Sequence, residues 1–187
     1  MDHYLDTKLR QDPEFPAPQL MNALFAKLHR ALVRHGAGQI GISFPAVNAH
    51  PLHLGNRLRL HAGEAALRAL QANDWLIGMR DHVSGGTIAP IPAEVQYRVV
   101  RRVQAHSSPE RIRRRLMRRQ HLSAEQATQR IPDSIAQLLH LPFAQLRSTS
   151  TGESFRVFIE HGPLQRRATA GEFSDYGLSQ TATVPWF

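Results

Sequence analysis

The chain has 187 residues, 42% of them hydrophobic, and no cysteine. This is enough for one domain or two small ones with a packed core, and it excludes wholesale disorder, a disulfide framework and thiolate chemistry. A net charge of +8 and a pI near 11.1 favour an anionic partner, nucleic acid ahead of an acidic membrane surface.

Residues 3–9 read as a first strand. Met1 to Asp6 has neither the basic nor the apolar region of a signal peptide, and no apolar stretch approaches the roughly 20 residues of a membrane span, so a cytoplasmic protein is expected. Pro13, Pro16 and Pro18 punctuate a turn. Leu20, Leu24, Leu28 and Leu32 then recur every four residues, with Met21 and Phe25 beside them, which predicts an amphipathic helix ending at Gly36 and Gly38. Gln39–Phe44 and Arg57–His61 alternate as strands, the second with Leu58 and Leu60 on one face. Glu64–Leu70 and Asp74–Met79 read as short helices. The order strand, helix, strand, strand, helix is the start of a ferredoxin-like fold.

Ser84–Pro92 is rich in Gly and Pro and reads as a linker. Val95–Gln104 reads as a strand carrying Arg98, Arg101 and Arg102. Ser108 and Pro109 then open a helix over about 108–120, and Ser123 with Gln126 forms a capping-box pattern for the next one. Phe143–Ser148 and Ser154–His161 make a hairpin around Thr151-Gly152, and the last 25 or so residues are polar and turn-rich. The fold class is therefore α+β, with a ferredoxin-like domain over 1–94 and a less regular domain over 95–187 that carries the arginine-rich helix.

The helix after Ser108 is the most informative segment. Arg111, Arg113, Arg114, Arg115, Arg118 and Arg119 put six guanidinium groups within nine residues. Buried without partners, each would cost several kcal/mol or more, so the run faces water or a polyanion. Arg111, Arg114, Arg115 and Arg118 follow the i, i+3, i+4, i+7 pattern and share a face, with Ile112 and Leu116 as the apolar contacts. Lys8 and Lys27 are the only lysines, so arginine supplies 21 of the 23 basic residues. A planar fork of donors suits phosphate and guanine better than a point charge does. A GC-rich genome would raise the arginine content too, but would not cluster it.

Several separated segments now form a set. They are Met1-Asp-His-Tyr-Leu-Asp6, Phe25-Ala-Lys-Leu-His29, Arg102-Val-Gln104 followed by Ser108 to Arg119, Leu146-Arg-Ser148-Thr-Ser150-Thr151-Gly152, Tyr176-Gly-Leu-Ser179 and Val184-Pro-Trp-Phe187. In order and spacing this set resembles the CRISPR repeat-processing endoribonucleases of the type I-F system, over essentially the whole chain. The resemblance implies an enzyme that binds the stem-loop of CRISPR repeat RNA. It would cleave at the 3′ base of the stem by attack of the ribose 2′-hydroxyl, leave a 2′,3′-cyclic phosphate and keep the product bound. No metal and no cofactor is implied, and other subunits of a type I-F effector complex are implied partners.

Residue roles follow from the same resemblance. His29 is implied as the general base, a role suited to an unperturbed pKa of about 6.5; composition alone could not choose it over His35 or His106. Ser148 is implied to hold the reacting ribose, and Tyr176 to orient the imidazole through its hydroxyl. Ser150 and Thr151 are implied to position the scissile region. Arg102 and Gln104, two apart on a strand, would read guanine and adenine edges at the base of the stem. Phe155 would stack on the terminal base pair. Arg114, Arg115, Arg118 and Arg119 would carry most phosphate contacts, with Arg111 and Arg113 as further candidates. Gln120 and His106 stand where another basic group is expected. The alternatives are a surface histidine at 29, a core tyrosine and phenylalanine at 176 and 155, a binding-only relative of the same fold, and an unrelated basic nucleic-acid module. His50, His53 and His61 are a weak metal pattern with no carboxylate at ligand spacing. Gly85-Gly86 lacks the Gly-Lys-Ser/Thr of a phosphate loop.

Overall fold

The computed structural model describes residues 1–35, 38–104, 109–132 and 140–187. The chain divides into two compact units, one of Met1–Val103 with Leu141–Phe187 and one of Gln104–His140. Both helices and antiparallel sheets are present, so the α+β class holds.

In the first unit, strand β1 (His3–Leu9) leads to helix α1 (Ala17–His35) and strand β2 (Gly41–Ser43). A small hairpin follows, β3 (Asn48–Ala49) with β4 (Leu52–His53), and then β5 (Arg57–Ala62) and helix α2 (Glu64–Ala72). Strands β6 (Val83–Gly85) and β7 (Ala89–Pro90) come next. The main sheet runs β2-β5-β1-β6, with β7 also pairing with β1. The leucine stripe makes α1 what the periodicity predicts: Leu20, Leu24, Leu28 and Leu32 are each 5% exposed or less, as are Met21 and Phe25. Burying each such side chain contributes about 1.5–3 kcal/mol.

Three expectations change. Residues 74–79 form turns, not a helix, because Asp74 (φ 48°) and Gly78 (φ 73°) are left-handed and interrupt helical geometry. Strand β5 is buried on both faces, not one: Arg59 and His61, opposite Leu58 and Leu60, are 4% and 0% exposed. Arg59 tolerates this through a two-bonded pair with Asp6 (2.7 and 2.9 Å), a bond to the Phe187 main-chain oxygen (2.8 Å) and packing on the Tyr4 and Phe187 rings. The Gly- and Pro-rich segment after Val83 is a sheet edge, not a linker. Its backbone pairs with β1, and the Gly86 and Ile91 amides donate to Asp6 and Asp2 carbonyls. An edge strand accepts Gly and Pro because only one side of its backbone must pair.

The second sheet of this unit is built from β8 (Gln96–Val103), β9 (Phe143–Arg147), β10 (Ser154–His161) and β11 (Thr183–Trp186), in the order β11-β8-β10-β9. Strands β9 and β10 are the expected hairpin, with Gly152 in the left-handed region (φ 70°). The unit's core joins α1 to both sheets, from Leu5 and Leu24 to Val157, Ile159 and Val184.

The second unit contains helices α3 (Pro109–Gln120) and α4 (Ala124–Arg130). Ser123 and Gln126 close the predicted capping box, each side chain bonded to the other residue's amide. Ser108 and His106 lie outside the described residues, as does the side chain of Arg111. Among the described residues, no helix is long and apolar enough to cross a membrane.

Candidate active site

His29 follows Leu28 on α1, so it leaves the leucine stripe by about 100° and is half-buried at the edge of a cleft of about 370 Å³. The same cleft is lined by Ser148, Phe155 and Tyr176, residues separated by more than a hundred positions from His29. Arg30, Arg34 and Arg147 line it as well, and among the described residues no carboxylate does.

The imidazole is held from two sides. Its ring stacks on that of Tyr176, with centroids 4.1 Å apart and planes 5° from parallel. Its Nδ1 lies 2.9 Å from the main-chain oxygen of Asp175. A carbonyl oxygen only accepts, so Nδ1 carries the proton and the neutral ring keeps its lone pair on Nε2. The tyrosine contact is made through the ring face, and the hydrogen bond that orients the histidine comes from the backbone.

That backbone is fixed by a tight turn. The Ser174 amide and hydroxyl both donate to the Leu178 oxygen, and the Gly177 amide donates to the Ser174 oxygen. The Ile42 amide of β2 donates to the Gly177 oxygen at 2.9 Å, which ties the turn to the main sheet. Gly177 is required twice over, because its φ is 69° and a Cβ there would meet Ile42 at 2.6 Å.

Ser148 begins the turn between β9 and β10 and is half-buried. Its hydroxyl lies 3.1 Å from that of Ser150 and accepts from the Thr151 amide at 3.2 Å, while its amide donates to the Glu153 oxygen. Ser150 and Thr151 are exposed in the same turn. No hydrogen bond joins Ser148 to His29 among the described residues, so the serine lacks the adjacent base that a nucleophile needs. Phe155 and Tyr176 are both half-buried and pack against the core. The Arg102 guanidinium sits 5.3 Å from the Tyr176 ring centre and 6.0 Å from that of Phe155. Its Nε is buried without an acceptor among the described residues. Strand β8 ends at Val103, so Gln104 lies one residue beyond it, exposed.

Sequence reasoning missed Arg30, Arg34 and Arg147. The available sign was the i, i+4 pair of arginines beginning one residue after His29. The role of the Asp175 carbonyl had no sign in the sequence, since any residue type offers the same atom.

In the second unit, Arg114, Arg115, Arg118 and Arg119 are exposed on α3, and none has a carboxylate within ion-pair distance among the described residues. Arg113 differs: it is half-buried, and its Nε donates to the Ile131 oxygen at 2.7 Å. Gln120 accepts from Arg130 at 2.8 Å.

Three other histidines, His53, His61 and His161, are placed apart from this cleft. His61 is fully buried with its Nε2 against the Ser43 hydroxyl (2.8 Å), and burial pushes its pKa down to about 3. His53 Nδ1 accepts from the Gly55 amide. Burial, helped by Arg98, pushes His161 down to about 4. Among the described residues no group of three His, Asp or Glu converges on a point that could hold a metal ion.

Comparison with known proteins gives the family. The chain is 58% identical, over 187 residues and the full length of both proteins, to the CRISPR-associated endonuclease Cas6/Csy4 of Pseudomonas aeruginosa (strain UCBPP-PA14). It is 47% identical, again over the full length of both, to the protein of the same name from Escherichia coli (strain UTI89 / UPEC). The family model described as CRISPR-associated protein (Cas_Csy4) matches residues 4–187. The chain therefore belongs to the Cas_Csy4 family of CRISPR-associated proteins, the repeat-processing endoribonucleases of the type I-F system that its separated motifs resemble.

Proposed function

We propose that this protein is a metal-independent endoribonuclease that binds the stem-loop of CRISPR repeat RNA and cleaves at the 3′ base of the stem. The supporting observation is the His29 imidazole. With Nδ1–H committed to the Asp175 oxygen, Nε2 is the proton acceptor at a cleft that also presents Ser148 and three arginines. Nε2 takes the proton of the ribose 2′-hydroxyl as its oxygen attacks the neighbouring phosphorus. The bond to the 5′-oxygen breaks, that oxygen takes up a proton, and the products are a 2′,3′-cyclic phosphate and a 5′-hydroxyl. Ser148 holds the ribose so that attack and departure are in line. Ser150 and Thr151 shape the turn that presents it, and Tyr176 fixes the imidazole plane.

Binding is divided. Phe155 stacks on the last base pair, Arg102 and Gln104 read its neighbours, and the exposed α3 arginines, with Arg111, hold phosphates. A ferredoxin-like reading of residues 1–94 is supported by the strand order β6-β1-β5-β2 with α1 and α2 as crossovers. Residues 95–187 form the recognition half, and after cleavage the bound hairpin is the surface offered to other effector subunits.

The test is cleavage of the host's repeat hairpin in EDTA, with a 2′-deoxy substitution at the scissile nucleotide as control. Cleavage that the deoxy substitution blocks supports the reading. Tight binding without cleavage would instead leave a hairpin-binding protein.

A further inference from the structure

Two arginines in the cleft are not used by that mechanism. Arg30 and Arg34 line the cleft with His29 and Ser148, lie one helical turn apart on α1 and so share a face, about 6 Å apart along the axis. Both are exposed, and neither has a hydrogen bond or a carboxylate partner among the described residues. The other arginines near the site are engaged: Arg147 donates to the Gly152 oxygen at 2.9 Å, and Arg102 lies against the Tyr176 and Phe155 rings. Among the described residues no carboxylate lines the cleft to neutralise the pair. Val33, on the next turn after His29, is 57% exposed between them.

We propose that Arg30 and Arg34 form a phosphate-binding subsite for the RNA strand downstream of the cleaved bond, an inference that rests on the ribonuclease reading above. Phe155 and Arg102 mark the stem side of the cleft. In-line displacement sends the departing 5′-oxygen, and the strand attached to it, away from the attacking 2′-oxygen held at Ser148. The outward face of α1 is the basic surface left for that strand. Two guanidinium groups one turn apart meet successive phosphates of an extended chain, without reading its bases. The subsite makes the enzyme favour an uncleaved precursor, which carries those phosphates, over the trimmed product, which does not.

The experiment uses the full chain carrying His29→Ala, so that bound RNA stays intact, and measures the affinity for two hairpins. One ends a single nucleotide beyond the scissile phosphate; the other extends several nucleotides further. The parent is expected to bind the extended RNA roughly three- to tenfold more tightly, with a salt slope steeper by about 1.4, the value for two single-strand phosphates. In Arg30→Ala/Arg34→Ala the ratio of the two affinities falls to about one and the slopes converge. Arg30→Gln/Arg34→Gln, which keeps the aliphatic stems, gives the same loss and separates charge from packing. A tail preference that survives both double variants overturns the inference, as does a parent with no tail preference. If no repeat hairpin binds or is cleaved by the unmodified chain, the ribonuclease reading itself falls and takes the subsite with it.

Discussion

Helices α1 and α3 both carry arginines on their outer faces, but they are held in opposite ways. On α1 the stripe from Leu20 to Leu32 is almost completely buried, so the position of His29 is set by the core to which its own helix belongs. On α3, Ile112, Leu116 and Met117 are only half-buried, and four of the arginines are exposed. The Arg113 bond to the Ile131 oxygen and the capping box of α4 supply polar ties within that unit. Chemistry needs an atom held within a fraction of an ångström, which a packed core provides. Phosphate recognition needs charge on an accessible face, and burying that charge would cost more than it returned.

The largest effect that tests this comparison is His29→Ala. Removing a general base is expected to lower cleavage by about 10²–10⁴-fold while hairpin affinity stays within a few-fold, read by single-turnover cleavage beside direct binding. Equal loss of both would mean that His29 is structural and that the two helices do not divide the work. Leu28→Ala is expected to cost about 2–5 kcal/mol of folding stability. Leu116→Ala on α3 should cost much less, because its neighbourhood is already open. Denaturant unfolding of both variants gives the contrast directly, and similar losses would break it.

Acid should act on the first unit. His61 and His161 are held neutral, with pKa values near 3 and 4, against about 6.5 in an unfolded chain. Between those values the unfolded state binds more protons, so stability is full above pH 6.5 and is lost as pH falls toward 4. For His161 the loss by pH 4 is on the order of 3 kcal/mol. His161→Phe, which keeps the ring contacts to Phe44 and Trp186, should flatten that part of the thermal stability curve; an unchanged slope would place the acid sensitivity elsewhere. The smallest single effect is expected from Arg115→Ala. It should weaken binding of all hairpins by a similar factor and lower the salt slope by about 1, without moving the cleavage rate of bound RNA.

What the sequence determined by itself was local and periodic. The leucine repeat places α1 and therefore the face on which His29 stands. Ser123 with Gln126, and Thr151-Gly152 between two alternating runs, announce a cap and a hairpin, because capping and left-handed turns are decided by a few adjacent residues. The separated motifs carry the family, and the resemblance implies roles for four residues that the structure gathers in one cleft: His29, Ser148, Phe155 and Tyr176. Tertiary structure decided the rest. The hydrogen bond that selects the His29 tautomer comes from the Asp175 oxygen, 146 positions away, and backbone oxygens carry no mark in a sequence. Residues 83–90 became a sheet edge because β1 offered unpaired backbone, which the Gly and Pro content of that stretch could not announce. Arg59 and His61 are buried because both faces of β5 are covered, a fact that depends on Asp6, Ser43 and Phe187 arriving from distant parts of the chain. Neighbours along the chain determine its local geometry; burial and protonation are set by what packs against it from afar.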